Sequence, residues 1–218
     1  MRYRLVVVSH GIAPHLDETL ASFDEMVSPA PAARALILDG HGARHPGGEW
    51  DATVRHVTQL GFGAAMRSGW RHARQSPEPY VFWLENDFRF DRPIDLTDCA
   101  AALLTNVHLA QVALVRGAVN ARERRAGGWP GLHGPWAQRE LWRDTGPVRW
   151  RESRWGWTTN PSLIPTSFIR QHDWPDGAES EGRFALAVKA TDDRAMFGVL
   201  GWADEHVTHL GERDGIGY

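Results

Sequence analysis

The sequence predicts an α/β protein with a mostly parallel central sheet. Apolar runs of strand length alternate with segments whose apolar residues recur at helical spacing, and the links between them are short. Units of strand, helix and strand joined in this way form parallel pairs with a right-handed crossover. The run at residues 80–84 (YVFWL) is apolar throughout, as expected for a central strand that is buried on both faces.

The composition excludes several classes of protein. The 218 residues, 42% hydrophobic and 23% charged, have the size and composition of one globular domain. The net charge of −3 produces no strong field, so we expect no nucleic-acid partner. Cys99 is the only cysteine, which excludes an internal disulfide and any cysteine-rich metal site. The first apolar run is too short for a signal-peptide core or a membrane span, so we expect a cytoplasmic protein without a transmembrane segment.

The first predicted unit is a strand, a helix and a second strand. Residues 5–8 (LVVV) predict a buried strand that meets a loop at Ser9, and residues 35–38 (ALIL) predict a strand that ends at Asp39. Between them, residues 14–26 predict a helix, because leucine and phenylalanine recur at helical spacing and acidic residues occupy the first turn. This order predicts a parallel pair of strands.

The next elements lead to the central strand and continue beyond it. Residues 53–57 predict a short strand, and residues 61–74 predict a helix with one apolar face. After the central strand, residues 100–107 predict a helix and residues 111–115 predict another strand. The first half of the chain is therefore regularly α/β.

The second half is less regular. Residues 116–154 are rich in glycine, arginine and tryptophan and show little periodicity, which predicts a long loop of the kind that forms lids and binding sites. Beyond this loop, we expect residues 155–164 to be partly extended and residues 181–190 to be helical. Residues 195–200 and 205–210 predict late, short strands.

Two carboxylates follow the central strand. Glu85 and Asp87 lie two residues apart, so they point to the same side if the backbone stays extended. The carboxyl ends of strands are where open α/β sheets bind their ligands. Two carboxylates that face one space repel each other unless a cation or a proton lies between them, which favours a divalent metal. The alternative is that both side chains cap the following turn and face water.

Seven short motifs, in order along the chain, resemble one family. They are LVVVSH (5–10), LILDG (36–40), GFGAAMRSGWRHA (61–73), WLENDF (83–88), NPSLIP (160–165), ESEGRF (179–184) and HLGE (209–212). Each motif alone is short, and their order and spacing carry the resemblance. Together they resemble the nucleotide-diphospho-sugar glycosyltransferases of the GT-A fold, most closely the family-2-type group.

This resemblance implies a fold and an activity. The fold is a GT-A-type, Rossmann-like three-layer sandwich with a mostly parallel central sheet and a mixed acceptor-side half. Residues 1–218 would form one domain, in which residues 1–115 bind the nucleotide sugar and residues 116–218 bind the acceptor. The implied enzyme is hexosyltransferase-like and transfers a sugar from a nucleotide-sugar donor to a saccharide, protein or small-molecule acceptor, with inversion. Tryptophans of the long loop would stack on sugar rings or pack as a lid.

The resemblance also implies a site for a divalent metal, Mn²⁺ or Mg²⁺. It places Asp87 on the metal, gives Glu85 a position near the metal or the donor ribose, and makes His209 a third ligand. For His209 the alternative is a structural histidine at a sheet edge. His206 is another candidate, but it lies three residues from His209, which on a strand turns it to the opposite face.

The remaining implied roles concern the donor and the base. Ser9, Asp39 and Arg67 would contact the nucleotide together with the first acid of the metal motif. The alternatives are a turn residue for Asp39 and a surface arginine for Arg67. Glu181 would be the catalytic base, with Glu179 in reserve. Both glutamates could instead be first-turn charges favoured by the helix dipole.

Two alternative functions remain open. The metal motif reads Glu-Asn-Asp rather than Asp-x-Asp, which is compatible with a catalytically degenerate GT-A-like protein that binds nucleotide or sugar without turnover. The second alternative is a metallohydrolase that uses some of the eleven histidines, such as His10, His41 and His45. It predicts clustered histidine ligands around a metal-bound water and no nucleotide site.

Overall fold

The computed structural model describes residues 1–10, 15–40, 45–117, 141–145, 148–154, 156–177, 180–201 and 205–211. The strands of this part are β1 (Tyr3–His10), β2 (Val27–Ser28), β3 (Ala33–Asp39), β4 (Ala52–His56), β5 (Tyr80–Glu85), β6 (Phe88–Phe90), β7 (Ile94–Asp95), β8 (Leu109–Ala113), β9 (Leu141–Thr145), β10 (Val148–Ser153), β11 (Ser162–Pro165), β12 (Met196–Leu200) and β13 (Val207–His209). Its helices are α1 (Leu16–Met26), α2 (Phe62–Arg74), α3 (Leu96–Thr105), α4 (Thr166–Gln171) and α5 (Ser180–Thr191). None of these described helices is long and apolar enough to cross a bilayer.

Nine strands form one sheet in the order β4-β3-β1-β5-β11-β8-β12-β10-β9. The pairs from β4 to β5 are parallel, and so is the pair of β8 and β12. β11 enters between β5 and β8 and is antiparallel to both, and β10 is antiparallel to β12 and β9. All strands of this sheet except β11 and β10 therefore point the same way. This large, mostly parallel sheet confirms the predicted fold class.

β5 is an interior strand of the sheet. Its neighbour on one side is β1, with Val8 level with Glu85, and on the other side it is β11, with Ser162 level with Trp83. Every residue of β5 after Tyr80 is buried, as predicted for a strand covered on both faces. Its carboxyl end is therefore held in position by strands on both sides.

Each face of the sheet is covered by helices. On one face, Phe23 of α1 packs against Phe82 of β5, with ring centroids 5.6 Å apart, and α3 belongs to the same apolar cluster. On the other face, Trp70 of α2 lies 5.7 Å from Trp83, and α5 joins that cluster. The close approach of α2 depends on Gly69, because a Cβ there would lie 2.8 Å from the Trp83 side chain.

The structure corrects the prediction that residues 116–154 form a loop throughout, because the end of this segment contains two strands. β9 and β10 form an antiparallel pair there, and β10 continues the sheet against β12. In β10 the side chains of Val148 and Trp150 are buried and that of Arg149 is exposed, which is the alternation of a strand. Arginines on its outward face made the segment resemble a polar loop. Residues 118–140 lie outside the described residues.

The helix expected at residues 100–107 is shifted. α3 begins at Leu96, where the Asp95 side chain accepts a hydrogen bond from the Thr97 amide at 2.9 Å, a typical N-cap. It ends at Thr105, and Val107 is 85% exposed. The apolar Val107 therefore belongs to the turn before β8 and does not contribute to the buried face of the helix.

Candidate active site

Polar residues collect at the carboxyl edge of the parallel strands. Ser9, Asp39 and Glu85 lie at or next to the ends of β1, β3 and β5. β11 runs in the opposite direction, so its beginning lies at this same edge, and Asn160 precedes it by two residues. The topology thus gathers side chains that are distant in the sequence.

The backbone turns directly after the central strand. β5 ends at Glu85, and Asn86 and Asp87 form a turn, so the condition under which Glu85 and Asp87 would share one side of a strand is not met. The Asn86 carbonyl accepts a hydrogen bond from Thr19 Oγ1 at 2.8 Å, and the Asp87 carbonyl accepts one from the Leu210 amide at 2.7 Å. These two bonds fix the turn from both sides.

A short second sheet brings His209 to Asp87. β13 pairs antiparallel with β6, with His209 level with Phe88. His209 Nε2 lies 3.1 Å from Asp87 Oδ2, and the side chains are 0% and 5% exposed, respectively. The two residues that sequence motifs place far apart therefore meet in a buried position.

The hydrogen bond at His209 Nδ1 fixes the position of the ring proton, and this determines what must lie between Nε2 and the Asp87 carboxylate. Its Nδ1 lies 3.0 Å from the Gly211 carbonyl oxygen, which only accepts, so Nδ1 carries the proton. The lone pair of Nε2 then faces a carboxylate oxygen of Asp87, which also only accepts. Such a pair requires a proton or a metal ion between its two atoms.

The geometry of the pair fits a divalent metal. Two ligands that each lie about 2.1 Å from a metal at right angles are about 3 Å apart, close to the observed 3.1 Å between His209 Nε2 and Asp87 Oδ2. A carboxylate with an imidazole suits Mn²⁺. Among the described residues no group of three histidine, cysteine or acidic side chains forms a complete metal site. Asp87 and His209 could therefore hold a metal as two of its ligands, and Glu85, 5% exposed, lies two residues before Asp87.

Gly211 closes the loop over this pair. A Cβ at Gly211 would lie 2.7 Å from Asp87 Oδ2 and 2.9 Å from His209 Cε1. Any larger residue would push the two side chains away from their present positions. The glycine therefore allows the chain to pass close to both polar groups.

Asp39 has a clear structural role. It is fully buried, its Oδ1 accepts from the Leu60 amide and its Oδ2 from the Gly61 amide, both at 2.9 Å. His56 Nδ1 also lies 2.9 Å from Oδ1, and His56 Nε2 lies 3.0 Å from Ser68 Oγ. Asp39 thus fixes the entry to α2, and its contact with a nucleoside stays a prediction.

Arg67 lies in a cavity beside this entry. The cavity has a volume of about 380 Å³ and is lined by residues 60–64, Arg67 and Gly177. The Arg67 guanidinium forms an ion pair with Asp176, whose side chain is 81% exposed. Arg67 is therefore placed where an anionic ligand would compete only with a solvated carboxylate, and its role at phosphate remains a prediction.

Glu181 lies in the first turn of α5, where its carboxylate is held from one side. Its Oε1 accepts two hydrogen bonds from Thr159, one from the amide and one from Oγ1, both at 2.6 Å. Thr159 directly precedes Asn160, so Glu181 is tied to the segment that enters the carboxyl edge. Glu179 lies outside the described residues.

Ser9 is fully buried at the end of β1, and its Oγ makes no hydrogen bond within the described residues. Its place at the carboxyl edge and its unpaired hydroxyl make Ser9 a candidate for contact with a ligand. Its role at the donor stays a prediction.

Tryptophans of the predicted long loop take a packing role where they are described. Trp150 is fully buried and its Nε1 donates to Glu152 Oε1 at 2.9 Å. Trp157 lies in the aromatic cluster below α2 and α5, 4.6 Å from the Phe184 ring. Both fill the core and are not placed to stack on a sugar.

The histidines of the metallohydrolase alternative are not seen as a cluster. His45 is engaged locally, with Nδ1 2.6 Å from the Pro46 carbonyl and Nε2 3.3 Å from Thr53 Oγ1. His41 and the side chain of His10 lie outside the described residues. This alternative stays untested.

Sequence reasoning did not nominate three residues of this edge. Asn160 and Arg116 are both 5% exposed and bonded to each other, and His56 links Asp39 to α2. The signal for Asn160 was its place before Pro161 in the NPSLIP motif. No signal identified Arg116 or His56, because their partners come from other strands.

Comparison with known proteins gives matches among solved structures but none at the level of sequence families. No protein-family model and no curated protein matches the sequence. Among solved structures, the chain is similar to the crystal structure of GalNAc-T7 with UDP, GalNAc and Mn²⁺, with a TM-score of 0.62 and 10% sequence identity. The match covers 99% of this chain but 45% of that chain, and at this identity it concerns the fold alone. Topology and match agree that the chain has a GT-A-like fold.

Proposed function

We propose that the protein is a metal-dependent glycosyltransferase that transfers a sugar from a nucleotide-sugar donor to a hydroxyl group of an acceptor. The observation that carries this proposal is the buried contact between Asp87 and His209 at the carboxyl edge of a GT-A-like sheet. The structural neighbour with UDP, GalNAc and Mn²⁺ supports it at the level of the fold.

Asp87 and His209 would hold the metal, with Glu85 nearby and donor phosphates completing the coordination. A bound Mn²⁺ or Mg²⁺ offsets the charge of the leaving diphosphate. Asp87 supplies a hard oxygen ligand, and His209 keeps its free nitrogen directed at the same point because Nδ1 is engaged with Gly211. Both ligands would therefore be oriented in the metal-free protein.

The donor nucleotide would occupy the edge formed by β1, β3 and the start of α2. Ser9 offers a buried hydroxyl, and the cavity beside Gly61 offers Arg67. Arg67 can exchange its exposed partner Asp176 for a phosphate, because a guanidinium binds phosphate with two parallel hydrogen bonds. Asp39 would contribute mainly by fixing the segment at Leu60 and Gly61 that leads into α2.

Glu181 would remove the proton from the acceptor hydroxyl. Thr159 holds one carboxylate oxygen of Glu181 through two hydrogen bonds and leaves Oε2 for the acceptor. This arrangement suits inversion, in which a base acts on the face opposite the leaving diphosphate. Glu179 is the reserve for the same role. Residues 116–218 would bind the saccharide, protein or small-molecule acceptor.

Calorimetry with UDP-GalNAc, UDP-GlcNAc, UDP-glucose and GDP-mannose, each with and without Mn²⁺, tests the proposal. We expect Mn²⁺-dependent binding of at least one donor and slow hydrolysis of its glycosidic bond. Absence of affinity for every donor would contradict the proposal. Binding without hydrolysis or transfer would favour the alternative of a nucleotide-binding protein without turnover.

A further inference from the structure

The side-chain amide of Asn160 has a fixed orientation. Asn160 is 5% exposed, and Arg116 Nε donates a hydrogen bond to its Oδ1 at 3.2 Å. A guanidinium only donates, so the amide oxygen must face Arg116 and the Nδ2 group must face away from it. The position of the donor group of Asn160 therefore follows from the chemistry of its partner.

This donor group is unused in the protein. Within the described residues, Asn160 Nδ2 has no hydrogen-bond partner. Buried polar groups nearly always have one, and an unpaired buried donor destabilises the fold. At an edge where a ligand is expected, such a group is a candidate for a hydrogen bond with that ligand.

The backbone keeps Asn160 from turning away. Its amide donates to Thr158 Oγ1 at 3.1 Å, and the next carbonyl, that of Pro161, accepts from the Leu114 amide at 2.8 Å. Pro161 also restricts the backbone of Asn160 to extended conformations. The amide is thus preorganised from both sides.

The location of Asn160 connects it to the proposed reaction centre. Thr159, its neighbour, holds Glu181, and the start of β11 lies at the edge where β5 delivers Glu85. Asn160 therefore lies next to the residue that holds the proposed base, at the edge where the strand that leads to Asp87 ends.

We propose that Asn160 Nδ2 donates a hydrogen bond to a hydroxyl oxygen of the donor sugar. The inference rests on the proposed function and names a residue that selects for the sugar. A neutral amide suits a neutral hydroxyl, and the position beside Glu181 is that of the sugar rather than of the diphosphate, which belongs with Asp87 and His209. Arg116 acts as a positioning residue that fixes and polarises the amide.

The test compares binding of a nucleotide sugar with binding of its nucleoside diphosphate. Calorimetry with Mn²⁺ is performed on wild type and Asn160→Ala, using UDP and the UDP-sugars, and GDP and GDP-mannose. We expect the affinity for the sugar nucleotide to fall roughly three- to tenfold, the size of one neutral hydrogen bond, while the affinity for the diphosphate stays unchanged.

A second variant distinguishes a lost hydrogen bond to the ligand from a folding defect. Asn160→Asp keeps an acceptor for Arg116, so it preserves the packing, and a sugar hydroxyl can turn to donate to the carboxylate. We expect Asn160→Asp to bind the sugar nucleotide more tightly than Asn160→Ala. The matched control is Asn106→Ala at the opposite edge, where both ends of the amide are bonded within the protein, to Glu152 and to the His108 amide. It should leave the ratio of the two affinities unchanged.

Three results would overturn the inference. Equal losses for diphosphate and sugar nucleotide in Asn160→Ala would place the contact on a phosphate. Unchanged affinities for both ligands in a folded Asn160→Ala would exclude a contact between Asn160 and the ligand. If wild type binds none of the nucleotides, the proposed function fails, and this inference fails with it, whereas the first two results contradict Asn160 alone.

Discussion

The two edges of the central sheet differ in how their buried polar groups are hydrogen-bonded. At the amino edge, Glu78 is satisfied by the protein: Ser76 Oγ donates to its Oε2 at 2.6 Å, and Arg4 Nε lies 3.3 Å from the same oxygen. At the carboxyl edge, Asn160 Nδ2 has no partner within the described residues, and His209 Nε2 lies 3.1 Å from Asp87 Oδ2, a contact that requires a proton or a metal ion between the two atoms. The Glu78 carboxylate thus has its partners within the protein, whereas a ligand or a metal ion could complete the polar groups at the carboxyl edge.

This difference separates structural from functional polar groups. A network whose donors and acceptors match stabilises the fold, and its loss is measured as stability. A buried group that lacks its complement costs stability and is explained by ligand binding. Variants at the carboxyl edge should therefore affect binding and turnover more than folding, and variants at the amino edge should do the reverse.

Asp87→Asn should produce the largest functional loss. We expect hydrolysis or transfer with Mn²⁺ to fall about 10³-fold, because a charged metal ligand is removed. Thermal stability without metal should not fall, since the new amide can donate to His209 Nε2. The control is Asp91→Asn, next to the same two-stranded sheet, whose carboxylate accepts from Arg89 and Thr208. An Asp87→Asn protein with full activity would refute the metal assignment.

Glu181→Gln should lower turnover about 10²-fold, because the amide cannot accept a proton in the transition state. Its Oε1 can still accept both hydrogen bonds from Thr159, so the fold and the affinity for the nucleotide sugar should remain. Steady-state kinetics and calorimetry on one preparation measure both quantities. Glu25→Gln, an exposed residue of α1, serves as the control. Wild-type turnover in Glu181→Gln would show that another residue acts as the base.

Gly211→Ala should weaken Mn²⁺ binding about tenfold, the effect expected when metal ligands are displaced without being removed. The added methyl group would lie 2.7 Å from Asp87 Oδ2. Titration of free Mn²⁺ by electron paramagnetic resonance measures the affinity. Gly47→Ala is the matched control, because a Cβ there meets no atom within 4 Å. Equal affinities in both variants would show that the pair does not hold the metal.

Glu78→Gln should have the smallest effect, a loss of about 1 kcal/mol in the free energy of unfolding at neutral pH, without an effect on nucleotide binding. Burial would raise the pKa of Glu78, but the Ser76 hydrogen bond, the backbone and the charges of Arg4 and Arg2 hold that pKa below its ordinary value of 4.5.

The sign of the pH dependence follows from this shift. Because the pKa of Glu78 is lower in the folded than in the unfolded protein, its contribution is complete above pH 4.5 and is lost as the pH falls through the folded pKa. Urea unfolding of wild type and Glu78→Gln should therefore converge in acid. A difference that grows as the pH falls would be inconsistent with this ion pair.

The regular elements were predictable because their signals are local. The run at 80–84 has no polar face, and the helical stripe around Met66 and Trp70 has one apolar face, so both give elements of the expected type. β9 and β10 lack such a signal, because alternating arginines hide the buried face of β10.

The candidate site was predictable only in part. No local pattern links Asp87 to His209, and their meeting was expected through the family resemblance alone. The turn that ends β5 at Glu85 depends on bonds from Thr19 and Leu210, which come from distant segments. The orientation of the Asn160 amide, whose Nδ2 has no partner within the described residues, depends on Arg116 from a distant part of the sequence, and spacing along the chain does not reveal that contact.

If Asp87 and His209 hold a metal ion, the sheet formed by β6 and β13 would link metal binding to the docking of the last described segment. Each strand is three residues long, and the pair carries Asp87 and His209 at one end. Local opening of residues 205–211 separates the two ligands, so an ion bound by both opposes that opening by mass action. The Leu210 amide, bonded to the Asp87 carbonyl, should exchange its hydrogen more slowly when Mn²⁺ is present. Its exchange rate would report, at a single atom, whether the site is filled.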